Sequence, residues 1–213
     1  MDELAEIIER CPTGEWIFRG VEDCAYELIP GIGREAAYDE ASEMNIVEQF
    51  ERAARPYFNL EPRNRLELLA VAQHHGLPTR LLDWTESPLV AAYFATKSAD
   101  VLPNRPAIYA VKGLPVLKGN EDPFTDVHRV SVYRPAHLSA RIPAQRALFT
   151  VHPRPACSEL HPPRVRLWKL GRGKRAARLK RLLDGCGINE ASLFPDLDGL
   201  ARHLGWRYRR NKA

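Results

Sequence analysis

The 213-residue chain lacks any apolar run long enough to cross a bilayer, and it opens on MDELAEIIER, acidic where a secretory leader is basic and then apolar. These absences predict a water-soluble, cytoplasmic protein. Cysteine is scarce and scattered: Cys11, Cys24, Cys157 and Cys186 form no CxxC pair and no Cys/His cluster at zinc spacing. They read as reduced thiols, with no metal expected. There is no GxSxG, no Walker-type loop and no GxGxxG, so serine-hydrolase, P-loop and Rossmann readings lack support. The Gly31-Ile32-Gly33 triplet is too short to count. With no internal repeat, no low-complexity stretch and no Ser/Gly linker, residues 1–213 read as one domain.

What is present is an average globular composition, 45% hydrophobic and 27% charged, whose charge is unevenly distributed. Met1 to Ala53 carries fourteen acids against four Lys/Arg, although the whole chain has a net charge of +4. The tract from Arg164 to Arg181 holds nine Lys/Arg and no acid, and RYRRNK follows near the C-terminus. Within it, Arg172, Lys174, Arg175, Arg178, Lys180 and Arg181 form a surface that would attract phosphates or an acidic partner. The plainer reading is a solvated amphipathic helix with Leu179, Leu182 and Leu183 facing the core.

Periodicity and punctuation predict a helix at Glu3 to Arg10, a strand at Glu15 to Gly20 and a helix from Glu35 to about Arg55. A further helix runs from after Pro62 to a cap at Gly76, and another starts at Ser87-Pro88. AIYAV, VHRVSVY, RALFTVH and RVRLWKL read as strands, followed by the basic helix and a last helix from Asp198 to Leu204. Helices cluster early and strands late. The predicted class is α+β, a helical N-terminal half packed on a mixed or antiparallel sheet.

The chemistry concentrates between Gln73 and Pro88, QHHGLPTRLLDWTESP, read as a loop carrying more polar groups than a connection needs. Each residue has a structural alternative: Ser87 or Thr85 as a helix cap, Arg80 paired with Asp83, Trp84 in the core. His74 and His75 are adjacent on a helix and point about a hundred degrees apart, so both do not serve one ion; one is expected to line a site and the other to pack or face solvent.

These residues resemble a known family. Phe18-Arg19-Gly20, the long motif QHHGLPTRLLDWTESPLVAAYFA, ARIPAQRALFTVH and SLFPDLDGL are similar, in that order, to the segments of the FRG domain, a domain of undefined activity found in bacterial and phage-conflict proteins. A weaker resemblance is to ADP-ribosyltransferases, which hold NAD in a split sheet. Arg19-Gly20 is similar to their first-strand element, Thr85-Glu86-Ser87 to their second motif, and Gln145 falls near their catalytic glutamate. That resemblance implies a split sheet and NAD as substrate, with Arg19, Ser87 and Gln145 catalytic and Arg19, Gly20, His75, Arg80, Asp83, Trp84, Thr85 and Tyr93 as the binding set.

The expected chemistry breaks the nicotinamide–ribose bond through an oxocarbenium-like transition state, which needs negative charge nearby. Gln145 can orient a hydroxyl but cannot neutralise that charge. Asp83, Glu86 and Glu48 are the alternative carboxylates, and the residues alone do not choose among them. An enzyme of this type would modify a protein or nucleic-acid target, as a toxin or antiphage-defence effector with a cognate inhibitor. Two other classes stay open: a nucleic-acid-binding protein or metal-independent ribonuclease using His75 and Arg80, and a non-catalytic module whose acidic half docks a basic partner.

Overall fold

The computed structural model describes residues 2–12, 14–58, 61–99, 105–136, 140–160 and 164–210; Asn211 and Lys212 of the basic C-terminal tract lie outside them. Helix α1 (Asp2–Arg10) leads into strand β1 (Trp16–Val21), and a 3₁₀ turn at Ile32–Arg34 precedes α2 (Glu40–Ala54). Then come α3 (Arg65–His74), β2 (Leu81–Thr85), α4 (Pro88–Thr96), β3 (Ala107–Lys112) and β4 (Ser131–Tyr133). The rest is α5 (Arg141–Gln145), β5 (Ala147–Val151), β6 (Val165–Lys169), α6 (Lys174–Gly185), α7 (Glu190–Leu193) and α8 (Leu197–Arg210).

The ends of the early helices follow from side chains that satisfy orphan backbone donors. Asp39 accepts from the Ser42 amide, so α2 begins at Glu40 rather than at Glu35 as expected. Asn64 caps α3 in the same way, and Gly76 closes that helix at φ +93°. Ser87 accepts from the Val90 amide with Pro88 in the first turn, which fixes the start of α4.

The strands form one six-stranded sheet in the order β4-β5-β2-β1-β3-β6, with the strand pairs antiparallel. Together with the helices this is an α+β fold. The pairing is unequal. β1 runs beside β3 over six residue pairs, and β2 beside β5 over five. Between β1 and β2 a single pair, Phe18 with Thr85, joins the strands. The sheet is therefore two three-stranded halves that splay apart on either side of that pair.

Alternation along the strands distributes the core into three clusters. Trp16, Phe18, Ile108 and Ala110 face α1, α4, α6 and α7 through Ile7, Ala91, Leu179 and Leu193. Leu81, Phe149 and Val151 face α2 and α3 through Val47, Leu66 and Leu69. On the opposite side Ile17, Leu82, Trp84, Val111 and Leu148 meet Leu28 and Leu160 from the connecting loops. The two helical layers stand on different halves of the sheet, and the cleft lies between them.

Several expectations are corrected. The segment LLDWT, read as loop, is β2, at the centre of the sheet. Leu182 is 38% exposed, while Ala176, Leu179 and Leu183 form the buried face of α6. The last helix runs to Arg210 and leaves Leu200 and Leu204 exposed. Helices α5 and α7 are too short to have a periodic signature.

Candidate functional site

The splayed ends of β1 and β2 open onto a cavity of about 640 Å³. Phe18, Arg19, Gly20 and Glu22 line it from β1 and the residue after it, and Asp83, Trp84 and Thr85 from β2. Ala70 and His74 contribute from α3, Phe94 from α4, Arg141, Ile142 and Gln145 from α5, and Phe194 from the residue after α7. This volume is in the range of small-molecule and cofactor sites. Its lining pairs aromatic rings with cations, Arg19, Arg34, Lys97 and Arg141, against the two carboxylates Glu22 and Asp83. Flat apolar surface beside positive charge suits a ligand that carries both rings and phosphates.

Arg19 sits on the floor with its side chain 20% exposed. Its Nη1 donates to the Asp83 carbonyl at 2.7 Å and lies 3.7 Å from the Asp83 carboxylate. Its Nε is buried with no partner among the described residues. Burial depresses the guanidinium pKa, and Asp83 opposes that shift. A buried charged donor left unpaired is costly, so Arg19 is held with donor capacity that the protein does not meet. Gly20 has a different role from the one expected. A Cβ there would stand 1.8 Å from the Ala91 carbonyl, so the glycine is required by the packing of α4 on β1 rather than by close approach of a ligand.

Thr85 does not present a free hydroxyl. Its Oγ1 donates to the Gln145 carbonyl at 2.7 Å and accepts from the Ser87 amide at 3.1 Å. It thus clamps α5 to the end of β2. Gln145 is further fixed by Nε2 donating to the Leu193 carbonyl at 2.9 Å, which leaves its amide oxygen as an acceptor. The next residue, Arg146, has φ 47°, a left-handed conformation uncommon outside glycine. Both constraints hold Gln145 at the mouth of the split.

Trp84 is anchored from behind. Its Nε1 donates to Thr150 Oγ1 at 2.9 Å, and that oxygen lies 2.9 Å from His152 Nε2. The direction of that second bond follows the imidazole tautomer, and the other ring nitrogen is Nδ1. That Nδ1 is buried without a partner among the described residues. Burial, then the Arg19 charge, holds His152 down at a pKa of about 3, so it stays neutral.

The roof comes from the C-terminal segments. The Phe194 ring is approached by Lys97 at 5.1 Å, Arg141 at 5.2 Å and Arg202 at 5.6 Å, and it packs edge-on against Phe94. Arg141 is tied to Asp196 at 2.6 Å and Arg202 to Glu190 at 2.9 Å. His74 lines the wall, where burial, then Arg141, lowers its pKa.

Other expected site residues stand elsewhere. Arg80 is sealed beneath the sheet with its side chain 1% exposed, bonded to Glu43, Glu40 and the Pro123 carbonyl and stacked 3.9 Å from the Phe124 ring. Its location removes the pairing with Asp83, the ligand contact and the ribonuclease role with His75 together. His75 is exposed at the end of α3, so the histidine of the cavity is His74. Tyr93 is buried against Glu190 and cannot stack on a ligand in this cavity. Ser87 serves as the cap of α4.

The expected carboxylates also divide: Glu86 is engaged by Arg134 and Arg146, and Glu48 faces solvent on α2. Arg172, just before α6, and Lys174, Arg175, Arg178 and Arg181 on it are exposed, whereas Lys180 donates to the Lys97 carbonyl at 2.7 Å. The residues missed in the sequence are Glu22, Arg34, Lys97, Arg141 and Phe194. Arg141 and Phe194 lie inside ARIPAQ and SLFPDLDGL, and Glu22 is two residues beyond Phe18-Arg19-Gly20, so the family-like segments were the available signal.

The fold is an α+β protein with a split sheet, and its cavity lies where the central strands part. Residues 14–102 match the family model of the FRG domain. That match includes β1, α2, α3, β2 and α4, hence the floor and one wall of the cavity, while α5, β5 and Phe194 complete it from outside the matched range. No curated protein and no solved structure matches the chain. Among the described residues no helix is long and apolar enough to cross a membrane, and no group of three or more His, Cys, Asp or Glu is placed to hold a metal.

Proposed function

We propose that this chain binds NAD in the cleft of the split sheet and transfers its ADP-ribosyl group to an acceptor on a protein, a nucleic acid or water. The observation that carries the reading is the parting of β1 and β2 around the single Phe18–Thr85 pair, with Arg19, Thr85 and Gln145 brought to one cavity. Arg19 and Arg141 take the pyrophosphate, since a guanidinium presents planar paired donors to phosphate oxygens. The rings of Phe94 and Phe194 take the flat bases, while Trp84, with its indole in the core, supports the floor. Gln145 accepts from a ribose hydroxyl through its amide oxygen, in a position set by Thr85 and Leu193. Thr85 is a positioning residue, and Ser87 has no contact with the ligand.

The test is incubation of the purified chain with NAD labelled in the adenylate phosphate, alone and with cell extract. Released nicotinamide is followed by chromatography, and Gln145→Ala serves as the control. Nicotinamide release or label transfer by the wild type, lowered in the variant by about 10²-fold, supports the reading. Absence of NAD binding, nicotinamide release and transfer overturns it.

A second reading has its own observation. The exposed arginines of α6 border a separate depression of about 390 Å³ lined by Arg175, Arg178 and Leu179. Such a face suits a nucleic-acid phosphate backbone. Binding of a labelled RNA or DNA duplex with a slope of about −0.9 per phosphate contact against log salt would support it, and absent or salt-insensitive binding would remove it.

A further inference from the structure

Glu22 stands immediately after β1, where it lines the cavity and also borders a small adjoining depression beside Ala95, Ser98 and Gly173. It makes no hydrogen bond and no ion pair among the described residues, and its Oε1 is sealed from water. Every other carboxylate near the split is already engaged. Asp83 accepts from Gln73 Nε2 at 2.9 Å, lies beside Arg19 and is 63% exposed to solvent. Glu86 is held by Arg134 and Arg146, and Glu190 by Tyr93 and Arg202. Asp196 is bound by Arg141 at 2.6 Å. An anion that is screened or paired offers little field to a reacting centre, whereas one in a poorly hydrated wall offers much.

We propose that Glu22 is the carboxylate that stabilises the ribosyl cation when the nicotinamide–ribose bond of NAD breaks; this rests on the NAD reading above. The C1′–N1 bond breaks with its electron pair leaving on nicotinamide, and positive charge develops over C1′ and the ring oxygen. The Glu22 carboxylate opposes that charge from the β1 side while Gln145 orients the ribose from the α5 side. With water as acceptor, a C1′–O bond forms and the attacking water loses one proton through Glu22 to solvent. The products are ADP-ribose, nicotinamide and H⁺. The two functions that one glutamate on a late strand would combine are divided here between a neutral amide and an anion on opposite lips of the cleft.

The experiment compares wild type, Glu22→Gln and Glu22→Ala for NAD affinity, by quenching of tryptophan fluorescence, and for nicotinamide release at saturating NAD. Thermal unfolding establishes that each variant is folded. Glu22→Gln keeps the shape and removes the charge. The expected result is a loss of about 10²-fold or more in turnover with affinity changed by less than about threefold, because the charge acts on the transition state and not on the bound dinucleotide. Glu22→Gln turning over at the wild-type rate sinks the inference while leaving the NAD reading intact. A parallel loss of affinity and turnover in a folded Glu22→Gln also sinks it, since the residue would then serve binding. A wild type that neither binds nor cleaves NAD removes both.

Discussion

Two arginines, Arg19 on β1 and Arg80 immediately before β2, show how differently one fold can use a cation drawn in from solvent. Arg80 has each terminal nitrogen and Nε bonded to protein, with Glu43 bidentate at 2.7 and 3.1 Å, Glu40 at 3.1 Å and the Pro123 carbonyl at 3.0 Å. The Phe124 ring covers its face. Arg19, by contrast, has one carbonyl and one distant carboxylate, with an unpartnered Nε at the wall of a cavity. The first arrangement commits four of the five guanidinium N–H donors to protein and so fastens α2 to the start of β2. The second leaves capacity unused beside empty space, as a binding site requires. Arg80 is the more deeply buried, but what separates their roles is how many of their donors the protein satisfies.

The comparison is broken most severely at Arg80. Arg80→Leu leaves Glu43, 1% exposed, as an uncompensated buried anion, and we expect a loss of about 3–5 kcal/mol of folding stability by urea denaturation. Arg80→Leu combined with Glu43→Leu recovers much of that loss. A single variant as stable as the wild type would show that the ion pair is not what joins α2 to the sheet.

The corresponding change at Arg19 separates binding from folding. Arg19→Met removes the phosphate donor and also relieves an unsatisfied buried group, so the expected stability change is within about 1 kcal/mol. Affinity for ADP-ribose falls by roughly tenfold to a hundredfold, equivalent to about 1.5–3 kcal/mol for a charged hydrogen bond. Isothermal titration and thermal unfolding on the same preparation measure the two quantities. Unfolding of this variant with affinity retained would assign Arg19 the same structural role as Arg80.

The contrast extends to pH through His152, which is fully buried behind Trp84. Its folded pKa of about 3 lies below the ordinary 6.5, so between these values the unfolded chain binds the extra proton. The stability associated with the neutral imidazole is complete above pH 6.5. As pH falls from there towards 3, this one group lowers stability by about 1.4 kcal/mol per pH unit. His152→Gln keeps a partner for Thr150 and does not titrate. Denaturation midpoints across that window should therefore fall less steeply in the variant. Identical slopes would place the acid sensitivity in other groups.

What the sequence disclosed, and what it hid, follows the same division. The family-like motifs located β1 and α4, and the Ser87 cap was legible because capping is local chemistry, whereas the Asp39 cap was passed over in favour of a start at Glu35. Strand β2 was taken for a loop because Asp83 and Thr85 share a face with Leu81, and polar residues on a strand face are expected only where a cavity opens. Arg80 looked like a site residue for want of its partners, which come from 37 and 40 positions earlier. Glu22 had only its place two residues after Phe18-Arg19-Gly20 to mark it: its significance is a buried Oε1 without a partner among the described residues. Periodicity finds elements; only packing tells a satisfied polar group from an available one.

Ser87 gives the smallest and most discriminating effect. The sequence placed it among the catalytic residues, but its hydroxyl accepts from the Val90 amide at 3.4 Å and its amide donates to Thr85 Oγ1 at 3.1 Å. Ser87→Ala removes the side-chain cap and keeps the backbone bond to Thr85. The expected cost is about 1 kcal/mol of stability, with affinity for ADP-ribose and rate of nicotinamide release unchanged. Ser87→Asp, which caps as well, should restore the stability. A Ser87→Ala protein that folds as firmly as the wild type yet loses turnover would mean that the hydroxyl reaches the ligand, and that the cap bond is secondary to chemistry at the split.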